Sequence, residues 1–128
     1  MKIIDSSTIV KYFSAEPGWG KIRPFLSLPV TIELSIKELG SALWKKVNKK
    51  EFEMDSALEI LLEFQRIAKF YGQKKDIKRA FEIAVSHHIT IYDSLFIAAA
   101  LAENFELVTS DSRQGKIASE SGVIMTII

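Results

Sequence analysis

The sequence predicts an α/β protein, with a parallel sheet of short strands covered by helices on both faces. Two observations lead there. Short, uniformly apolar segments (Ile3-Ile4, Val30-Thr31-Ile32, Leu107-Val108) alternate with stretches of helical periodicity. Strands that are apolar throughout, rather than at every second residue, belong in a sheet buried on both sides. A length of 128 residues adds that one domain, spanning 1–128, with its own core is expected.

The elements follow in order. Ile3-Ile4 reads as a first strand, and Asp5-Ser6-Ser7-Thr8 as a helix start, with Ile9, Val10 and Phe13 at helical spacing. Pro17-Gly18 breaks the chain. Trp19 to Leu28 predicts a short helix interrupted by Pro24, and Pro29 ends it. Val30 to Ile32 is a second strand. Helices are expected over Ser35 to Lys50, with Ile36, Leu39, Leu43 and Val47 on one face, and over Asp55 to Tyr71, with Leu58, Leu61, Leu62 and Ile67. Gly72 stops the latter. Asp76 to His88 carries Ile77, Ala80, Phe81, Ala84 and Val85. Ser94 to Asn104 is nearly all apolar, so a buried helix is expected. Leu107 to Thr109 is a strand, Asp111 to Ser121 a weak helix, and Val123 to Ile128 a final β-rich strand.

Composition narrows the function. Hydrophobic residues make up 48% and charged residues 26%, which excludes disorder of the whole chain. Lys plus Arg is 17 against 16 acids, so any basic surface is local. With no Cys, disulfides and thiolate zinc sites are excluded. The N-terminus lacks the long apolar segment of a signal peptide, and Ser94 to Ala102 is too short to span a bilayer. A cytoplasmic protein without membrane contact is expected.

Parallel sheets bind ligands outside the carboxyl ends of their strands. Asp5 directly follows the first strand, and Asp111 follows Leu107-Val108-Thr109-Ser110. Asp93 stands at the start of the buried helix. Each has a plain structural explanation, since Asp is a preferred helix N-cap worth ~1 kcal/mol against Ala. Three together, two of them at strand ends, shift the balance toward a site. Glu38 falls to one side of its helix's apolar stripe, and periodicity alone does not select it over Glu33 or Glu51. Carboxylates packed together repel unless a cation joins them. Mg²⁺ takes oxygen ligands, keeps several waters, and is held by few carboxylates plus substrate phosphate. Such an ion can activate water and neutralise charge on a phosphodiester.

Four segments carry a resemblance. Ile3-Ile4-Asp5-Ser6-Ser7, Ile36-Lys37-Glu38-Leu39, Ile91-Tyr92-Asp93-Ser94-Leu95-Phe96-Ile97-Ala98-Ala99-Ala100 and Leu107-Val108-Thr109-Ser110-Asp111 resemble, in order and spacing, the PIN-domain nucleases, and within them the toxins of VapBC toxin–antitoxin pairs. The resemblance implies a Rossmann-like three-layer α/β/α fold. It implies that Asp5, Glu38, Asp93 and Asp111 bind Mg²⁺ or Mn²⁺, with Thr109 as the hydroxyl residue near the last acid and Ser6 as the small residue after the first. It also implies an endoribonuclease, a homodimer and a VapB-type antitoxin partner. The chain departs from the pattern at Ser112-Arg113-Gln114-Gly115, where relatives often carry a further acidic or aromatic residue.

Other features fit this expectation less directly. Lys11, Lys45 and Lys46, with Ser6, are candidates for RNA contact, although runs such as Lys45 to Lys50 and Lys74 to Arg79 are commonly solvated helix faces. His87-His88 reads as a helix-end pair, because adjacent helical residues do not face one way. Trp19, Trp44, Phe64 and Phe70 read as core or dimer contacts. Three alternatives remain: an RNA-processing nuclease that is not a toxin, a phosphatase or phosphotransferase with Asp5 as nucleophile, and a non-catalytic binding module. The phosphatase chemistry commonly uses a second Asp where Ser7 stands.

Overall fold

A computed structural model describes residues 1–128. The α/β fold expected from the sequence is present. The chain runs β1 (Lys2–Ile4), α1 (Ser6–Phe13), β2 (Val30–Ile32), α2 (Leu34–Asn48), α3 (Met54–Ile67), β3 (Lys69–Tyr71), α4 (Ile77–His87), α5 (Ile91–Glu103), β4 (Glu106–Thr109), α6 (Ser112–Glu120) and β5 (Met125–Ile127). Every strand pairing is parallel. β4 lies between β1 and β5, with Ile3 opposite Leu107 and Val108 opposite Thr126. β2 pairs with β3, with Thr31 opposite Phe70. The two ladders meet where β2 lies alongside β1. There Thr31 Oγ1 donates to the Ile4 carbonyl at 2.7 Å, a side-chain bond in place of a backbone ladder.

Ile3 and Ile4 show why the strands are apolar throughout. Neighbouring residues on a strand point to opposite faces. Ile3 joins a core of 16 buried residues that includes Ala80, Ile83, Leu95 to Ala100, Ile117 and Ala118 from α4, α5 and α6. Ile4 joins a second core of 8, with Ile9, Leu39, Leu43, Ala57 and Phe64 from α1, α2 and α3. The sheet is thus sandwiched between two helical layers. α5 is the buried helix that its composition predicts, with every residue from Ser94 to Ala100 inside.

Five expectations are corrected. The helix expected to run to Tyr71 ends at Ile67; Ala68 turns extended (φ −76°, ψ 143°), and Lys69 to Tyr71 form β3. A three-residue strand is too short to show periodicity, and the bond from Lys69 N to the Pro29 carbonyl (2.8 Å) that starts it is non-local. On α3 the buried residues are Ala57 and Phe64, while Leu58 and Leu62 are exposed. α4 likewise buries Ala80 and Ile83 but exposes Ile77, Phe81 and Val85. Trp19 to Leu28 forms two 3₁₀ turns, Trp19–Lys21 and Arg23–Leu26, rather than an α-helix. α5 begins at Ile91, three residues earlier than expected, because Thr90 accepts from Asp93 N (3.2 Å) and caps it.

Replacing Thr31 with Val keeps shape and removes the donor at the β1–β2 seam. The change should cost about 1–3 kcal/mol, the usual result of leaving a buried acceptor unpaired. A urea midpoint unchanged from the native protein would show that this bond does not join the ladders.

Candidate functional site

β1 and β4 are adjacent and parallel, so the residues that follow them emerge on one edge. Asp5 is 1% exposed. Burying a carboxylate is costly unless hydrogen bonds replace water, and four donors do so. Oδ1 accepts from Ser7 Oγ (2.7 Å), Thr8 N (3.0 Å) and Thr8 Oγ1 (3.0 Å), while Oδ2 accepts from Thr109 Oγ1. The Thr109 hydroxyl oxygen in turn accepts from Asp111 N at 3.0 Å. One hydroxyl therefore links the first and fourth acids. Ser7 Oγ accepts from Ser110 N at 3.1 Å, which ties the start of α1 to the turn after β4.

The other acids arrive on helices. Glu38 lies in the second turn of α2, half-buried, and accepts from Ser6 Oγ at 2.7 Å. Asp93 sits in the first turn of α5. Asp111 caps α6, its Oδ1 accepting from Arg113 N (2.9 Å) and Gln114 N (3.2 Å). Glu38, Asp93 and Asp111 line a cleft of about 380 Å³ together with Ser6, Ser7 and Gln114. Asp5 sits behind them. The cap role and the site role thus coincide in Asp5 and Asp111, whereas Asp93 is capped by Thr90 rather than being the cap.

Electrostatics mark this cleft. Burial pushes the Asp5 carboxyl above its usual value, against the pull of the hydroxyls of Thr109, Ser7 and Thr8 and the Thr8 amide. Burial also raises Glu38, opposed by Ser6 and reinforced by the charges of Asp93 and Asp5. Asp93 is raised by burial and then by Asp111, opposed by Thr90 and Arg113. None of the four acids takes part in an ion pair. Arg113, whose charge acts on Asp93, donates to the His88 carbonyl (3.0 Å).

The donor set fits a hard divalent cation. All the groups are oxygens, none of them is in an ion pair, and three of the four line a polar cleft. No three of the side chains converge on one point at coordination distance. That spacing suits an ion that retains much of its water shell and takes only one or two carboxylates directly. It does not suit a tightly caged metal.

Residues 2–120 match the PIN domain family. The chain belongs to that family. A curated relative, Ribonuclease VapC3 of Pyrobaculum aerophilum, is 32% identical over 84 residues, which covers 63% of this chain and 64% of the relative. A crystal structure of PAE2754 from Pyrobaculum aerophilum superposes with a TM-score of 0.74 over 97% of this chain and 82% of that one, at 21% identity. That likeness concerns the fold.

Within this PIN domain the remaining candidate residues divide. Ser6 holds Glu38 in place, and Lys45 and Lys46 line a groove that adjoins Glu38. Lys11 points elsewhere, donating to the Ile128 carbonyl at 3.0 Å. His87 lies 3.5 Å from Glu120, and His88 ends α4 with left-handed backbone (φ 56°), so the pair does not converge. Asp5 is unsuited to nucleophilic attack: it is buried, and both its oxygens are engaged. Two cleft residues escaped the sequence. Gln114 is 4% exposed and donates from Nε2 to the Asp93 carbonyl at 3.0 Å. Its signal was its place three residues after Asp111, in the segment that departs from the family pattern. Glu16 reaches the cleft rim from the turn after α1, where Ala15 adopts φ 51°; Pro17-Gly18 marks the break there but not that Glu16 faces the site.

The raised carboxyls set a stability profile. In the folded chain, Asp5, Glu38 and Asp93 hold protons over a range above 3.8 to 4.5 in which unfolded carboxylates have lost them. The folded state then binds more protons, so this contribution falls as pH rises through that range. In EDTA, Asp93→Asn should therefore be more stable than the native chain, and the difference in urea midpoint should grow from pH 4 towards neutrality. A difference that shrinks as pH rises would contradict the assignment.

Proposed function

We propose that this PIN domain is a Mg²⁺- or Mn²⁺-dependent endoribonuclease and the toxin of a VapBC-type pair. The observation that carries the proposal is the unpaired carboxylate cluster at the carboxyl ends of β1 and β4, with Glu38 and Asp93 brought to it by α2 and α5. The similarity to a protein named as a ribonuclease of the VapC type supports RNA as substrate.

Each residue has a distinct task. Asp5, Asp93 and Asp111 would hold the cation, one or two of them directly and the rest through its water shell, and Glu38 would bind that water. A divalent ion there supplies Lewis acidity at the scissile phosphate and lowers the pKa of an attacking water. Thr109 positions Asp5 through its hydroxyl and fixes the Asp111 backbone, so it acts through the acids. Ser6 does the same for Glu38. With both oxygens of Asp5 occupied, a phosphatase built on that nucleophile is disfavoured.

Two partners belong to the proposal. A VapB-type antitoxin would cover the cleft, and a homodimer would bury exposed apolar residues such as Ile77, Phe81 and Val85, which recur every four residues along α4.

Purified protein should cleave single-stranded RNA with Mg²⁺ or Mn²⁺ and not in EDTA. Asp93→Asn should lose at least a hundredfold in rate, the scale on which removing a metal-binding or proton-transfer group acts. Cleavage that persists in EDTA or in the variant rejects the mechanism, and absence of cleavage under every condition favours a binding module. Growth arrest on expression, relieved by a neighbouring small reading frame, would separate a toxin from an RNA-processing enzyme.

A further inference from the structure

The carboxylate cleft does not end at Glu38. A second, open groove of about 560 Å³ begins at the same side chain and runs along α2. Its walls carry Lys37, Lys45, Lys46 and Lys49, its floor is small (Ser41, Ala42), and Tyr92 of α5 faces it. Lys37, Ser41, Lys45 and Lys49 form one row at four-residue spacing, and so share one side of the helix. Lys37, Lys45 and Lys49 take part in no ion pair, whereas Lys46 is held by Glu51 at 3.2 Å. Three uncommitted ammonium groups therefore stand along one lip, and an aromatic ring that is 57% exposed stands beside the acid Asp93.

Resting on the nuclease proposal above, we propose that this groove is the path of a single, unpaired RNA strand. Lys37, Lys45 and Lys49 hold its phosphates on one side of the scissile bond, and Tyr92 stacks against a base next to that bond. The row from Lys37 to Lys49 spans about 18 Å of helix, which matches about five stacked nucleotides at ~3.4 Å each. A groove that combines a basic lip with an aromatic face binds unpaired strands, because each exposed base offers a π-face while the cations follow the backbone. In a duplex the bases are paired inside, and Tyr92 would meet none of them. A preference for RNA loops and other single-stranded segments follows. The second lysine run lies elsewhere: Lys75, Lys78 and Arg79 line a separate surface near His87, and Lys75 is paired with Glu103.

Binding is measured in EDTA, by fluorescence anisotropy of a labelled short RNA against increasing KCl, so that it stands apart from cleavage. The single strand should bind at least tenfold more tightly than the same sequence as a duplex. Combined Lys37→Ala, Lys45→Ala and Lys49→Ala should make the slope of log affinity against log salt shallower by about 2, at ~0.7 per phosphate contact. Tyr92→Ala should weaken binding about tenfold with the slope unchanged, and Tyr92→Phe should keep it, as stacking requires. Lys78→Ala with Arg79→Ala should change neither value. Circular dichroism of each variant matching the native protein excludes misfolding as the cause. Equal affinity for duplex, an unchanged slope in the triple variant, or a Tyr92→Phe loss equal to that of Tyr92→Ala each overturns the path. So does capture of an acidic peptide by the lysine row where RNA fails to bind. Groove-dependent binding without cleavage would sink the nuclease proposal and leave the path standing; cleavage indifferent to these variants would do the reverse.

Discussion

Water is excluded from the carboxylate of Asp5, and everything at the carboxyl edge of the sheet is arranged around that fact. A buried acid needs replacement donors, and Asp5 draws them from two segments distant in sequence: Ser7 and Thr8 at the start of α1, and Thr109 at the end of β4. The bonds from Ser7 and Thr8 are local to the helix start, whereas the one from Thr109 forms only if β1 and β4 are neighbours in parallel register. The same hydroxyl of Thr109 accepts from the Asp111 amide, so positioning the first acid also positions the fourth. Ser6, adjacent to Asp5, carries the arrangement on to Glu38. The site is one hydrogen-bonded unit, and its geometry is a consequence of the sheet.

Polar satisfaction and charge are in tension here. Hydroxyls and amides satisfy the oxygens of Asp5 individually, yet the charges of Asp93 and Asp5 still raise Glu38, and that of Asp111 raises Asp93. Arg113 is close enough to matter and is tethered to the His88 carbonyl. From there it borders Asp93 and Asp111 and offsets part of the charge on Asp93. No cation lines the cleft of Glu38, Asp93 and Asp111 itself, and its negative charge is one that a solvated divalent ion, and then a phosphate brought by that ion, can neutralise.

Much of this was legible in the residues. Asp5 and Asp111 could be placed because a parallel sheet puts the residues after its strands on one edge, and the strands around Ile3-Ile4 and Leu107-Val108 are marked by continuous apolarity. α5 was legible as buried from the absence of any polar face between Leu95 and Ala100. Glu38 was not, since its distinction is tertiary: it is selected by the bond from Ser6, thirty-two positions earlier. β3 was hidden because Lys69-Phe70-Tyr71 continues the polarity of the helix before it and owes its strand conformation to pairing with β2. The apolar faces read on α3 and α4 include Leu58, Leu62, Phe81 and Val85, which are exposed, because periodicity reports an apolar face and not which part of it finds a partner. The groove beside Glu38 depends on α2 and α5 meeting, which no local pattern encodes.

An acidic edge that holds a divalent cation binds the ion before any substrate arrives. Calorimetric titration of Mn²⁺ into the metal-free protein tests it without any substrate. The account predicts saturable binding that releases protons, weakened at least tenfold in Asp93→Asn and in Asp111→Asn. Absence of saturable binding in the native chain, or binding of equal strength in both variants, would contradict it.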